Sequence, residues 1–406
     1  DVYKRQGLRC RVGAAHWPLW RQITGSDHDA RARSGAPSCP WAPGRWGPSS
    51  VRDTPYNRWS NPPCHPGGPS GKSCYTRLVS HSGYVLNLPA LIAPIADDMK
   101  AVDAVIRERL NSEVVLIRTI GDYIIGAGGK RMRPAMVLMV ARALGYEGTH
   151  HQLLAAVVEF IHTATLLHDD VVDESDLRRG RDTANAVFGN AASVLVGDYL
   201  YSRSFEMMVE ADSMRIMSIL SEATTVIAEG EVLQLLNVHD PDVSQERYLQ
   251  VVRYKTAKLF EAAAQVGAVL AGATPEQEAA AAAYGRHVGT AFQLVDDVLD
   301  YSGDATALGK NVGDDLREGK PTLPLIRVME VGTPEQQQLI RDAIKTGDAD
   351  FAAVAAAIQA TDALDHARQA AVAEADRARE ALSNYPVSPF LNSLLEFCAF
   401  AVNRDR

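Results

Sequence analysis

Most of this 406-residue chain lacks tryptophan and nearly lacks cysteine. All five tryptophans precede residue 60 and four of the five cysteines precede residue 75, which leaves Cys398 alone in the long remainder. One thiol cannot form a disulfide framework, so the remainder is typical of a reduced, cytoplasmic protein. No run of about 18 apolar residues occurs, which argues against a transmembrane helix of ordinary length.

Residues 1–82 have a composition of their own. They contain half of the 20 prolines and carry 12 Lys and Arg against 4 Asp and Glu. Clusters of proline and glycine break helices and strands, and no apolar periodicity is present. We therefore expect a disordered or non-native leader in this part of the chain. The alternative is a transit peptide, which the arginine-rich composition favours and the missing amphipathic pattern opposes.

Residues 83–406 are predicted to form one all-α domain. They carry 29 basic and 46 acidic residues, and this negative balance argues against nucleic acid as a partner. Alanine is abundant, apolar residues recur at helical spacing, and alternating β-branched segments are absent. The periodicity predicts helices over 95–106, 132–144, 153–168, 191–210, 214–237, 245–271, 276–300 and much of 335–402.

Two aspartate-rich segments interrupt the apolar helical pattern. The order Asp-Asp-X-X-Asp occurs from Asp169 to Asp173 and again from Asp296 to Asp300. Positions four apart share a helix face, so the first and last aspartates of each segment should lie side by side. Stacked carboxylates repel one another and need a cation, and hard oxygen ligands suit Mg²⁺. The acidic pair 97–98 lacks a third aspartate, and we expect it on the surface.

Basic residues accompany the first aspartate segment in the sequence. Two glycines followed by Lys130, Arg131 and Arg133 precede a predicted helix, whose free backbone N–H groups would attract an anion. Arg178 and Arg179 follow the segment, and arginine binds phosphate oxygens in a bidentate manner. Together with the carboxylates, these residues predict two diphosphate sites, one bridged by metal and one held by basic side chains.

Other polar residues lie in apolar surroundings where the same site could use them. His162 is seven residues before Asp169 on the same helix face. A ligand contact and a role as a buried core histidine both remain open for it. The polar stretch 313–321 is expected to close on the second aspartate segment. The remaining candidates are Lys255, Thr256, Gln293, Lys310 and Lys320.

In combination these motifs resemble the trans-polyprenyl diphosphate synthase family. The resemblance rests on Gly-Gly-Lys-Arg-Met-Arg-Pro at 128–134, Leu-His-Asp-Asp-Val-Val-Asp at 167–173, Phe-Gln-Leu-Val-Asp-Asp-Val-Leu-Asp at 292–300, and the stretch 313–321. It spans roughly residues 86–402 with the motifs in the family's order. The chain is most similar to long-chain synthases of the octaprenyl and decaprenyl type, which make the quinone side chain.

The resemblance implies an isoprenoid synthase fold, a single large helical bundle around a central cavity, and a homodimer. It implies a Mg²⁺-dependent transferase in which an allylic diphosphate ionises and isopentenyl diphosphate adds to the carbocation. Successive additions would give a long-chain all-trans polyprenyl diphosphate, expected to supply the ubiquinone side chain. The enzyme is expected in the cytoplasm, without nucleic acid and with transient membrane contact for product release.

The resemblance also implies roles for individual residues. Residues expected to ligate or position Mg²⁺ are Asp169, Asp173, Asp296 and Asp300, supported by Asp170 and Asp297. Residues expected to hold the allylic diphosphate are Arg178, Lys255, Lys310 and Lys320. Residues expected to hold isopentenyl diphosphate are Lys130, Arg133, His162 and Arg179. Thr256 and Gln293 are expected beside the allylic chain and the developing cation. The catalytic group would comprise Asp169, Asp173, Lys255, Gln293, Asp296 and Asp300.

Product length in this family depends on residues just before the first aspartate segment. Ala164 and Thr165 are small and Ile161 is not aromatic, which favours an open path and a long product. Ala164 as an ordinary helix-packing alanine is the plainer alternative, and a short-chain farnesyl or geranylgeranyl synthase is the alternative function. A terpene cyclase or a non-catalytic subunit is less favoured, because both aspartate segments are intact.

Overall fold

The computed structural model describes residues 88–178, 180–302 and 313–404. The expected leader and two candidate site residues, Arg179 and Lys310, lie outside these ranges. Within them, helices account for nearly all regular structure, so the all-α prediction is confirmed.

The helices follow one another along the chain with short connections. They are α1 (Leu88–Ile92), continued by a 3₁₀ turn (Ala93–Ile95), α2 (Ala96–Arg109), α3 (Val115–Gly126), α4 (Met132–Ala143), α5 (His150–Val172), α6 (Ala184–Phe188), α7 (Asn190–Val209), α8 (Met214–Asn237), α9 (Gln245–Val251), α10 (Lys258–Leu270), α11 (Pro275–Ser302), α12 (Asp314–Arg317), α13 (Leu323–Val331), α14 (Pro334–Thr346), α15 (Phe351–Ala360), α16 (Ala363–Ala381) and α17 (Pro389–Asn403).

Strands are confined, in the described ranges, to one short hairpin after α5. Strand β1 (Leu177–Arg178) pairs antiparallel with β2 (Arg181–Asp182), with Arg178 opposite Arg181. None of the helices in these ranges is both long and apolar enough to cross a membrane.

Helix α4 lies at the centre of the bundle. From Ala135 to Ala141 no residue is more than 1% exposed, because the sequence there is apolar on every side and must be surrounded by other helices. Helix α4 packs against α5 and α10, and α10 packs against α11. This core therefore holds α5 and α11, the two helices that end in the aspartate segments.

The helix predicted over 245–271 contains an irregular turn. Between α9 and α10 the chain adopts a π-helical turn at Val252–Ala257. A π turn carries hydrogen bonds of one residue longer spacing than an α-helix, and such turns often occur at functional sites. Lys255 and Thr256 lie in this turn, and both line a cavity of the bundle.

Asp98 is partly buried, which corrects the expectation of a surface acidic pair. Arg142 donates to its carboxylate through Nε and Nη2, each at 2.9 Å, and Gln152 donates at 2.8 Å. Burial alone would raise the pKa of Asp98, but these hydrogen bonds outweigh it and lower the pKa to about 2. Asp97 is exposed as expected. The sequence held no signal for Asp98 because its partners come from α4 and α5.

We predict that Asp98→Asn lowers the free energy of unfolding by about 2 to 3 kcal/mol at neutral pH, because it leaves the partly buried Arg142 without its carboxylate. Urea unfolding would measure the loss, with Asp97→Asn as the control expected to cost no more than about 0.5 kcal/mol.

The difference between the parent and Asp98→Asn should also depend on pH. The folded pKa lies below the ordinary value of 3.8, so the stabilisation is complete above 3.8 and is lost as the pH falls towards 2. An unfolding difference that stayed constant over that interval would contradict the assignment of the stabilisation to the ionised carboxylate.

Candidate active site

A cavity of about 730 Å³ brings together most of the residues singled out from the sequence. Its wall is built from the start of α4, the second half of α5, the end of α8, the π turn, the end of α11 and the segment after α12. The predicted site residues on the wall are Lys130, Arg133, His162, Thr165, Asp169, Asp173, Arg178, Lys255, Thr256, Gln293, Asp296, Asp297 and Lys320.

The end of α5 presents two carboxylates to the cavity and buries a third. Asp169 and Asp173 line the wall, as their spacing of four residues predicts. Nζ of Lys255 lies 3.9 Å from Oδ2 of Asp169, and Nζ of Lys320 lies 2.9 Å from Oδ2 of Asp173. Asp170 is fully buried away from the wall.

Arg178 holds the buried Asp170 in place. Its Nε donates to Oδ1 of Asp170 at 2.6 Å, and Arg178 itself lines the cavity. Burial raises the pKa of Asp170, although the guanidinium of Arg178 opposes that shift. The ion pair therefore ties the β-hairpin to the end of α5 and leaves a guanidinium at the cavity edge.

Asp296 and Asp300, predicted to lie side by side, have different surroundings. Asp296 lines the cavity with 40% of its side chain exposed, whereas Asp300 is fully buried and off the wall. The N–H of Asp315 donates to the Asp300 carboxylate at 3.3 Å, and the N–H of Gly313 donates to its carbonyl at 3.0 Å. Asp300 thus anchors the segment from Gly313 onward, which closes on this cluster as expected.

Asp297 belongs to a row of buried hydrogen bonds that reaches the cavity. The hydroxyl of Thr256 donates to Oε1 of Gln293 at 2.9 Å, and Nε2 of Gln293 donates to Asp297 at 2.8 Å. The hydroxyl of Tyr248 donates to the other oxygen of Asp297. Burial, reinforced by the charge of Asp315, raises the pKa of Asp297 to about 8. The row fixes the orientation of the Gln293 amide at the wall.

Cations and carboxylates shift one another's pKa values along this wall. Burial lowers the pKa of Lys320, but the carboxylates of Asp173 and Glu318 outweigh it and raise the pKa above its ordinary value. Burial raises the pKa of Glu231 above its ordinary value, although the Lys255 ammonium, 2.7 Å away, opposes that shift. Lys320 therefore stays cationic and offsets the negative charge of the carboxylates beside it.

The other end of the cavity is basic and aromatic. Nη1 of Arg133 lies 3.2 Å from Nε2 of His162, and its guanidinium lies 4.3 Å from the centre of the Phe260 ring. Nζ of Lys130 lies 5.4 Å from the centre of the Phe292 ring. Aromatic faces attract cations and hold them in place. Arg133 and His162 thus meet at this end, and Lys130 lies on the same wall.

Sequence reasoning missed Arg404, which follows α17 and contacts two residues of the cavity wall, Phe292 and Asp296. Its guanidinium lies 3.7 Å from the Phe292 ring centre, Nη2 donates to the Phe292 carbonyl at 2.6 Å, and Nη1 lies 2.7 Å from Asp296. A basic residue near the end of a helical tail carries no local signal of such a contact. Glu159 and Glu231 were also missed, since each occupies an ordinary helical position.

Of the three positions predicted to govern product length, Thr165 alone lies on the wall. Its hydroxyl donates to the carbonyl of His162 at 2.8 Å. Ala164 and Ile161 are fully buried and are not part of the wall. Each residue of an α-helix turns the side chain by about 100°, so position 164 points well away from the face that carries Asp169.

The carboxylates that face the cavity fit a hard divalent cation. Asp169, Asp173 and Asp296 supply anionic oxygens, and each lies against a cation of the protein. In the described ranges, no three His, Cys, Asp or Glu side chains are grouped closely enough to hold a metal on their own. Mg²⁺ commonly uses one or two carboxylates, retained waters and substrate phosphates. The donor set therefore fits an ion that is shared with a phosphate group.

Known proteins similar to this chain carry out related chemistry. The model of the polyprenyl synthetase family matches residues 114–361. Octaprenyl diphosphate synthase from Escherichia coli is 55% identical over 323 residues, which are 79% of this chain and 100% of that enzyme. An all-trans-nonaprenyl-diphosphate synthase from Rhodobacter capsulatus is 47% identical, over 77% of this chain and 97% of that enzyme.

Solved structures agree with these relatives. A polyprenyl synthase from Caulobacter crescentus, complexed with calcium and isoprenyl diphosphate, superposes with a TM-score of 0.77 at 45% identity, over 79% of this chain and 98% of that one. A decaprenyl diphosphate synthase from Rhodobacter capsulatus gives a TM-score of 0.75 at 45% identity, over 79% and 100%. The chain therefore belongs to the polyprenyl synthetase family of trans-prenyltransferases, as its motifs predict.

Proposed function

We propose that this enzyme extends an allylic diphosphate by successive additions of isopentenyl diphosphate to a long-chain all-trans polyprenyl diphosphate for the ubiquinone side chain. One observation carries the proposal. A single cavity has the Asp169 and Asp173 carboxylates at the end of α5 and the Arg133–His162 cluster about two turns earlier along the same helix, which suits two diphosphates that react with each other. The octaprenyl product in the name of the 55% identical relative supports a long chain.

In this proposal Mg²⁺ is the divalent cation, held by Asp169, Asp173 and Asp296. Once bound, it would neutralise the negative charge that develops on the departing diphosphate. Calcium in the related Caulobacter crescentus structure supports a divalent ion in such a site. The buried aspartates support the site indirectly: Asp170 pairs with Arg178, Asp297 orients Gln293, and Asp300 binds the main chain of Asp315.

Basic side chains divide between the two diphosphates. Arg178, Lys255 and Lys320 lie among the carboxylates and hold the allylic diphosphate, together with Lys310. Lys130, Arg133 and His162 lie at the other end and hold isopentenyl diphosphate, together with Arg179. Arginine supplies paired N–H donors to phosphate oxygens and lysine supplies a point charge, so both groups are suited to the task.

The reaction needs a carbocation that survives long enough to meet the second substrate. The C–O bond breaks with its electron pair on the diphosphate, the double bond of isopentenyl diphosphate attacks the cation, and the released diphosphate takes the final proton. Gln293 presents its amide oxygen, oriented by Thr256, beside the allylic chain. Partial negative charge placed in advance stabilises the cation, and Phe260 and Phe292 exclude water.

We predict that Asp169→Ala and Asp296→Ala each lower kcat at least about a hundredfold at saturating Mg²⁺, because the charge stabilisation is needed in the transition state. Incorporation of labelled isopentenyl diphosphate measures the rate, and calorimetric titration with Mg²⁺ in the presence of diphosphate measures ion binding.

The exposed Asp97 supplies the matched control, and Asp97→Ala should retain parental turnover and ion binding. Thermal midpoints should show that all three variants are folded. Near-parental turnover in either cluster variant would remove the basis for the metal site.

Chain length in this proposal depends on the turn of α5 below Asp169. The cavity reaches Thr165, and Ala164 is buried beside it and off the wall, so a longer chain would have to open a path past Ala164 between packed helices. A small residue at this depth suits a path that opens as the product grows. A ring placed there would end the path.

We therefore expect Ala164→Phe to shorten the product to about three or four isoprene units, the length at which the chain reaches this turn. The first condensation should be spared, since the ring blocks volume and leaves the carboxylates untouched. Thr165→Phe, on the wall itself, should act alike, and Ala164→Ser should keep the parental length. Chromatography of the products measures their chain length. Products of parental length from both Phe variants would exclude this path.

We also propose a homodimer built on α7 and α8. These helices leave several large apolar side chains exposed, and exposed apolar surface often marks an interface. Val232, Leu235 and Leu236 lie on one side of α8 at helical spacing. The full set is Leu195, Val209, Met214, Val232, Leu235 and Leu236.

Leu235→Glu is expected to convert the dimer to a monomer, because it places a charge within an apolar interface. Sedimentation velocity measures the change. The control is Val387→Glu, which adds the same charge at a site 91% exposed outside these helices and should leave the dimer intact. A monomeric parent would end the dimer proposal without affecting the reaction.

The proposed setting is the cytoplasm, with transient membrane contact when the apolar product leaves. The single buried thiol of the described ranges, Cys398, suits a reducing compartment. A long prenyl chain is costly to expose to water, which favours its transfer directly into a lipid phase.

A further inference from the structure

One turn of α8 touches Lys255 at two separate points. Oε2 of Glu231 lies 2.7 Å from Nζ of Lys255, and the same Nζ lies 3.9 Å from Oδ2 of Asp169. At the neighbouring position, Gly230 lies against the main chain of the π turn. A Cβ at that position would come within 2.6 Å of the Lys255 backbone nitrogen. Two adjacent residues therefore contact the two ends of one lysine.

The approach of α8 to the π turn requires glycine at position 230. The same Cβ would also meet the Tyr254 carbonyl carbon and its Cβ, each at 2.9 Å. These are mostly main-chain atoms, which cannot rotate aside as a flexible side chain would. A side chain at 230 would have to displace either α8 or the turn that carries Lys255 and Thr256.

Glu231 decides where the ammonium of Lys255 lies. The four-carbon stem is flexible, and two carboxylates compete for one charge. The shorter distance is to Glu231, so the ammonium is held to one side of Asp169. That arrangement keeps the Asp169 carboxylate open to the cavity and keeps the ammonium available as a donor beside it.

We propose that Gly230 and Glu231 are positioning residues for the allylic diphosphate, acting through the main chain and the side chain of Lys255 respectively. The inference rests on the proposed function, in which Lys255 holds that diphosphate. Neither residue need touch the substrate.

The Glu231→Gln substitution distinguishes two effects of Glu231 on diphosphate binding: the repulsion by its negative charge and its placement of the Lys255 ammonium. Removing a negative charge near an anion would by Coulomb's law alone strengthen binding of the diphosphate. Loss of position would weaken it, because the freed ammonium would move towards Asp169. We expect about a tenfold rise in KM for farnesyl diphosphate, with KM for isopentenyl diphosphate changed less than about twofold.

Gly230→Ala tests the main-chain contact with every charge left in place. We expect the same selective rise of about tenfold for the allylic substrate. Glu229→Gln removes an exposed charge one residue away, and Gly126→Ala adds a Cβ that meets nothing within 4 Å. Both controls should behave as the parent. Thermal midpoints would reveal a Gly230→Ala protein that fails to fold, and Glu231→Gln then carries the test alone.

Binding without turnover separates this inference from the proposed function. The Kd of a thiolo analogue of farnesyl diphosphate, which does not ionise, should rise about tenfold in Glu231→Gln while the Kd of isopentenyl diphosphate holds. Unchanged or tighter binding of the analogue, or equal loss for both ligands, would overturn the positioning role. A parent that binds both ligands but forms no product would instead overturn the proposed function.

Discussion

The arrangement of this site depends on the mutual repulsion of carboxylates enclosed in a cavity. Asp169, Asp173 and Asp296 line one partly buried cavity, and carboxylates in such a space require positive charge among them. Lys255, Lys320 and Arg404 provide it, each against one carboxylate. These three cations come from the π turn, the segment after α12, and the end of α17. The charge balance of the site therefore requires three distant parts of the chain to be folded correctly around α5 and α11.

The sequence was most informative where spacing along one helix decides geometry. Asp169 and Asp173 share a face because four residues make about one turn, and His162 joins them from two turns before. The all-α fold could also be predicted, because the apolar composition of a helix such as α4 indicates that it is buried. The basic end was predicted from glycine, a helix start and three cations, and the structure brings Lys130, Arg133 and His162 together there.

The same spacing rule was insufficient where tertiary contacts compete with it. Asp300 shares its helix with Asp296, yet the incoming main chain of Gly313 and Asp315 covers it and removes it from the wall. Asp98 resembled a surface residue because Arg142 and the residues of α5 are distant in sequence. No sequence pattern around Arg404 indicated its role, because its contacts with Phe292 and Asp296 form only when α17 packs against the bundle. The face of a helix on which a residue lies follows from local sequence, whereas its burial depends on elements that are distant in sequence and pack against that face.

The π turn between α9 and α10 makes this part of the chain sensitive to the deletion of a residue. A π turn accommodates one residue more than a regular α-helix of the same length, which is geometrically equivalent to a one-residue insertion. Every side chain after the insertion is turned by about 100° relative to a regular continuation. A single-codon deletion within Val252–Ala257 would restore a regular helix but rotate Lys255 and its neighbours relative to α10. A change in length within this stretch of the gene is therefore expected to be tolerated poorly.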